Sequence, residues 1–210
     1  MPAIRRRRTW LVVFPAAILQ PPLFQTGADP ALNYGAIAAV IGHEITHGFD
    51  TQGSQFDGDG NRMQWWTPAD RDTFEARAAR LAVQVERYEP APGRPDLKLD
   101  GRFTLAENIA DLGGLNVAYD ALRRALDHGG NPGPIDGYTQ DQRFFLAWAR
   151  SWRTKMRPQR QEQLLAIDPH LPGPLRAIVA PSNMAAFGQV FSCRPGDAMV
   201  RPPDDRVEIW

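Results

Sequence analysis

The chain of 210 residues has little of several things that would settle its function quickly. Its single cysteine, Cys193, excludes an internal disulfide framework and any metal site built from several thiolates. Only Lys98 and Lys155 are lysines, against 22 arginines, and that skew carries no functional reading. Net charge is absent too. Lys plus Arg equals Asp plus Glu, 24 against 24, so no polyanion-binding surface is written into the overall balance and nucleic acid is not an expected partner. No apolar run reaches the ~20 residues a membrane-crossing helix needs, so no transmembrane segment is expected. What is present is ordinary: 43% hydrophobic and 23% charged residues exclude wholesale disorder, and the length allows a sizeable core.

The first residues admit two readings. Arg5 to Arg8, followed by the apolar stretch Trp10 to Leu19, have the outline of an export signal. Pro15 interrupts that stretch, however, and no small-x-small cleavage site follows. Leu11 to Phe14 read better as a buried strand ending at the prolines. No convincing signal peptide is therefore assigned, and cytoplasm and export both stay open.

Further along, the spacing predicts a series of helices. Ile37, Val40, Ile41 and Ile45 recur at helical intervals between Asn33, a plausible cap, and Gly48, a plausible stop. Thr67-Pro68 opens a helix to about Tyr88. Leu97 to Phe103 could be a short extended piece. Thr104-Leu105-Ala106-Glu107 has the form of a capping box, starting a helix that ends near Gly129 and leaves His128 in its last turn. Further helices are predicted at 144–156, 159–167 and 182–191. The expected fold class is α+β, mostly α, with a small sheet, in one compact unit.

One helix carries a metal-binding pattern, His43-Glu44-Ile45-Thr46-His47. Residues four apart lie only ~40° apart around a helix, so both imidazoles can reach one ion about 2.0–2.1 Å from each nitrogen. Glu44 projects beside that ion, where it can take a proton from an activated water. The neighbours Ile37, Ala38, Ala39, Val40, Ile41 and Ile45 are apolar, and burying two histidines and a glutamate among them without partners would be costly. A tetrahedral zinc needs a third protein ligand. Glu107 is the best candidate, although it could instead close the capping box begun by Thr104. Asp111, one turn on, could accept from the outer N–H of a ligand imidazole. Gly113 and Gly114 cost a helix ~1 kcal/mol each, which suggests close approach of another backbone. Asp57-Gly58-Asp59-Gly60-Asn61 begins like a calcium loop. It has Arg62 and Pro68 where Gly and Glu are required, and reads as a polar turn.

Taken together, Phe14-Pro15-Ala16-Ala17-Ile18-Leu19-Gln20-Pro21-Pro22, Leu32-Asn33-Tyr34-Gly35, Val40 to Asp50, Glu107-Asn108-Ile109-Ala110-Asp111 and the terminal Trp210 closely resemble the neprilysin-like family of zinc endopeptidases. That family includes endothelin-converting enzymes and bacterial oligopeptidases. The resemblance implies one Zn2+ per chain held by His43, His47 and Glu107, with Glu44 as general base. It also implies orienting roles for Asp111 and Asp50, and peptides as substrates. Asp168-Pro169-His170-Leu171-Pro172-Gly173-Pro174-Leu175-Arg176 resembles the family's remaining active-site segment, in which His170 would donate to the developing oxyanion and Arg176 would hold a substrate carbonyl. Ile18, Leu23, Val40 and Trp152 would line a pocket for a bulky apolar residue after the scissile bond.

Family members are much longer. Residues 1–13 are expected to be an unmatched segment with a first strand, and residues 14–210 a thermolysin-like catalytic domain lacking the helical cap and the edge strand that pairs with substrate. Val207 stands where animal members carry a final cysteine, which resembles the bacterial branch. Two functions follow as expectations: a zinc endopeptidase acting on short peptides, or a catalytically silent zinc-binding fragment that docks a separately encoded cap chain or a second copy of itself.

Overall fold

The structure, a computed structural model, describes residues 11–210. Pro30 opens the first helix at a position where its missing N–H costs nothing. The chain then runs without a break through α1 (Pro30–Asn33), a π-helical turn (Tyr34–Ala38) and α2 (Ala39–Thr46). Asn33 is not the cap that its residue type suggests. It exchanges two hydrogen bonds of 3.0 Å with the backbone of Gln25 and ties the preceding loop to the helix. Helix α3 (Pro68–Glu86) starts as predicted, with the Thr67 hydroxyl accepting from the Asp70 N–H. The longest helix is α4 (Leu105–Gly129), and α5 (Gln140–Ser151) opens on a capping box between Thr139 and Gln142. Three shorter helices complete the set: α6 (Pro158–Ile167), α7 (Gly173–Asn183) and α8 (Ala185–Val190).

The core is organised around α4. Ile109, Leu112, Leu115, Leu122 and Leu126 pack with Phe74, Leu81 and Val85 of α3, with Phe144 and Trp148 of α5, and with Leu175 and Val179 of α7. The largest helix–helix contact is that of α2 with α4, and it is made at glycines. A methyl group on Gly42 would stand 2.7 Å from the Gly114 carbonyl oxygen, and one on Gly114 would overlap the His43 backbone nitrogen. Gly113 faces Thr46 and the Trp210 indole in the same way. The close approach expected at Gly113 and Gly114 is thus where the two helices cross. The tail is strapped to α3 by Arg77, which donates to the Ile209 carbonyl, while the Trp210 ring stacks on Phe74 at 5.5 Å.

The small sheet does not form. Among the described residues there is no strand, only two isolated antiparallel bridges, Phe56–Arg62 and Ile135–Tyr138. Leu11 to Phe14, read as a buried strand, lack regular structure, and Leu11 and Val13 are 44% and 40% exposed. A strand needs a neighbour for its N–H and C=O groups, and none lies among the described residues. The part of this reading that falls on residues 1–10 lies outside them. Residues 97–100 have no regular structure and 101–103 form a turn, with Asp100 accepting from the N–H groups of Arg102 and Phe103, so no extended strand forms there. Asp57 accepts from the N–H groups of Asp59 and Asn61, the polar turn expected there.

Candidate metal centre

The site lies beside the glycine crossing. His43 and His47 project one turn apart from the end of α2, and Glu107 rises from the first turn of α4 to meet them. What frees Glu107 is a failure of the capping box. The Thr104 hydroxyl donates to the Asp100 carbonyl and accepts from the Asn108 side chain, and no side-chain cap bond forms at this helix start.

Glu107 Oε2 stands 3.2 Å from His43 Nε2 and 3.4 Å from His47 Nε2, and the two nitrogens are 3.1 Å apart. Ligands at about 2.05 Å around a tetrahedral zinc are about 3.3 Å from one another, so the spacing of the three atoms fits. The carboxylate oxygen is also buried without a hydrogen bond of acceptable geometry. A buried anionic oxygen left so would be costly, and a divalent cation removes the cost. These three residues are the cluster of side chains that can hold a metal ion among the described residues.

Each histidine is fixed from behind. His43 Nδ1 donates to Asp111 Oδ1 at 2.8 Å, and His47 Nδ1 donates to Asp50 Oδ2 at 2.7 Å. Asp50 is anchored in turn by the N–H groups of Gln52 and Gly53. Asp111 is buried and receives both Nε (2.8 Å) and Nη2 (2.6 Å) of Arg176 from α7. These outer contacts orient the rings and leave each Nε2 for the shared centre.

The same contacts set the protonation of the cluster's side chains. Burial opposes charge on His43, but Asp111 and Glu107 outweigh it and raise its pKa. His47 is likewise penalised by burial, yet Asp50 and Glu107 push it up to about 10. Burial disfavours ionised Glu107, but the contacts with His170, His43 and His47 hold it well below the usual carboxylate range. Asp111, also penalised by burial, is held down at about 2 by Arg176 and His43.

Glu44 is buried and lines a largely apolar cavity of about 480 Å3 with His47, Phe49, Phe56 and Trp65. His170 Nε2 lies 3.0 Å from Glu107 Oε2, and its Nδ1 donates to Asp168 Oδ1 at 2.7 Å. Asp168 had no role assigned from sequence, although an acid two residues before a histidine can turn back on it, as this one does. A second cavity, about 680 Å3, is lined by Trp152, Asp168, His170, Arg176 and side chains of α6. Ile18, Leu23 and Val40 are not part of its lining, so only Trp152 of the four proposed pocket residues borders it.

The sequence pattern of Peptidase family M13 matches residues 6–207. Neprilysin-11 of Caenorhabditis elegans is 40% identical over 202 residues, which are 95% of this chain and 23% of that protein. The neutral endopeptidase of Lactococcus lactis is 36% identical over 199 residues, again 95% of this chain and 29% of the relative. The crystal structure of the Mycobacterium tuberculosis zinc metalloprotease Zmp1 with an inhibitor superposes with a TM-score of 0.88 at 50% identity, over 94% of this chain and 30% of that one. The chain therefore spans about a quarter of the length of these relatives.

Proposed function

The chain belongs to Peptidase family M13, and from that premise we propose that it is a zinc-dependent endopeptidase acting on short peptides. The observation that carries this reading is the convergence of His43, His47 and Glu107 at 3.1–3.4 Å, with a buried carboxylate oxygen that lacks a hydrogen bond. One Zn2+ held by these residues would supply Lewis acidity, polarising the scissile carbonyl and lowering the pKa of the attacking water.

This chain's own residues do the rest. Glu44, beside His43 on the cleft side of α2, takes the proton of the attacking water and passes it to the leaving amine. His170, oriented by Asp168, donates to the oxygen on which negative charge develops. Arg176 commits Nε and Nη2 to Asp111, leaving Nη1 to meet a substrate carbonyl. A bulky apolar side chain after the scissile bond would enter beside Trp152.

Glu44→Gln keeps the shape and removes the base. It is expected to retain zinc at one equivalent and to lose cleavage of a quenched fluorescent peptide by a factor of about 10² or more. Full activity in this variant would rule out Glu44 as base, and a wild-type chain that binds no zinc would rule out the site. A second reading, a silent zinc-binding chain that docks a partner, is favoured by the exposed apolar side chains Ile45, Phe49 and Trp65 around the cleft. Stoichiometric zinc without turnover would support it.

A further inference from the structure

Trp152 belongs to two places at once. It borders the 680 Å3 cavity, and its ring lies against Arg176, whose guanidinium carbon is 3.7 Å from the ring centroid. That is well inside the ~6 Å over which an aromatic face attracts a cation, and the buried position of Arg176 strengthens the attraction. The indole N–H is buried and has no hydrogen-bond partner, so the residue contributes its ring face here and not its polar edge.

The pair is held from both sides. The Trp148 ring meets Trp152 edge to face at 5.1 Å, and the Trp148 N–H donates to the Arg176 carbonyl at 3.1 Å. At the start of α7, a methyl group on Gly173 would stand 2.5 Å from the Trp152 carbonyl oxygen and 2.9 Å from the Thr154 hydroxyl. Helix α7 can therefore carry Arg176 over the ring only because residue 173 has no side chain. Beyond Arg176 the contacts continue: both nitrogens of its fork meet Asp111, and Asp111 accepts from His43.

We propose that Trp152 is a positioning residue for the metal centre. Its ring face keeps the Arg176 guanidinium flat, so that Nε and Nη2 are presented together to Asp111. Asp111, held in this way, fixes the His43 ring with Nε2 toward the shared centre. The proposal rests on the metal-holding reading of His43, His47 and Glu107, and adds to it that a wall of the substrate cavity also tunes metal affinity. A merely apolar wall would be served as well by leucine as by an aromatic ring.

The test is zinc affinity, measured on the full 210-residue chain by competition with a chromophoric chelator, with melting temperature recorded in parallel. Trp152→Phe keeps a ring face and is expected to hold zinc within about threefold of wild type, whereas Trp152→Leu should weaken it about tenfold. Arg176→Lys keeps the charge but loses the flat fork, and should weaken zinc to a similar degree. The double variant Trp152→Leu/Arg176→Lys should be scarcely worse than either single one, because both remove the same contact. Gly173→Ala, which touches neither ring nor charge, should weaken zinc in the same direction.

Equal affinities for the Phe and Leu variants, or fully additive losses in the double variant, would overturn the proposal. Should Trp152→Leu fail to fold, the wild type, Phe, Lys and Ala variants still decide it, since wild-type affinity in both Arg176→Lys and Gly173→Ala is incompatible with the coupling. A wild-type chain that holds no zinc overturns the site reading itself, a result distinct from zinc binding that ignores Trp152.

Discussion

Two supports of different character meet at Glu107. The crossing of α2 and α4 brings His43, His47 and Glu107 together on helices interlocked at Gly42 and Gly114, with an anchoring aspartate behind each histidine. The segment carrying His170 follows α6, a helix in which no residue is fully buried. The Gln161 side chain ties α6 to the Pro90 carbonyl at 2.7 Å, and Glu162 pairs with Arg94 at 3.5 Å in an exposed contact that contributes little. The difference teaches a division of labour. On the reading proposed above, the groups that would hold an ion sit where α2 and α4 interlock, and the histidine assigned to a transient charge lies in the segment after the less buried α6.

The largest effect should come from breaking the frame. Gly114→Ala gains ~1 kcal/mol of helix propensity but forces a methyl group into the His43 backbone, and the overlap wins. A net loss of about 2 kcal/mol is expected, seen as a fall of roughly 4–8 °C in melting temperature together with much weaker zinc binding. An unchanged melting temperature would mean that the helices need not touch.

Acidity should separate the frame from the zinc proposed for it. In the metal-free chain the raised pKa of His47 contributes stability that is fully present below the usual 6.5 and is lost as pH rises through about 10. The melting temperature without metal should therefore decline from pH 7 to pH 10. Zinc affinity should rise over the same interval, because the metal needs neutral imidazoles. Parallel trends with and without metal would contradict this assignment.

The segment carrying His170 should respond more gently. Asp168→Asn is expected to leave zinc affinity within about twofold while lowering turnover about tenfold, because only the orientation of His170 changes. Weakened zinc in this variant would make His170 part of the holding set. The smallest effect is expected for Gln161→Ala, a loss of about 0.5–1 kcal/mol or less, visible as faster amide exchange in α6 with zinc affinity unaltered.

Much of this was legible in the sequence where a single helix suffices to state it. Two histidines four residues apart must share a face, Thr67 before Pro68 must open a helix, and two adjacent glycines in α4 asked for a close neighbour. The strand expected at residues 11–14 was less secure, because strand formation depends on a partner that local pattern does not supply. The helical stretch expected at 182–191 proved to be two helices divided at Met184, with α7 beginning at Gly173, inside a segment that sequence had marked for its active-site residues. The four-residue pocket was inferred from resemblance, and residues from distant segments share a cavity only if packing brings them there.

By itself, then, the sequence determined that His43 and His47 share one helix face, because covalent spacing and the helical repeat fix that, while Glu107 stood open between a third donor and a capping-box member until the family resemblance favoured the first. Only the tertiary structure decided that Glu107 would come to 3.2 Å from His43 and 3.4 Å from His47, which lie on another helix. It also decided that Arg176 would lie between Trp152 and Asp111. Such contacts join residues tens of positions apart, and their geometry is set by which helices can approach closely enough to touch.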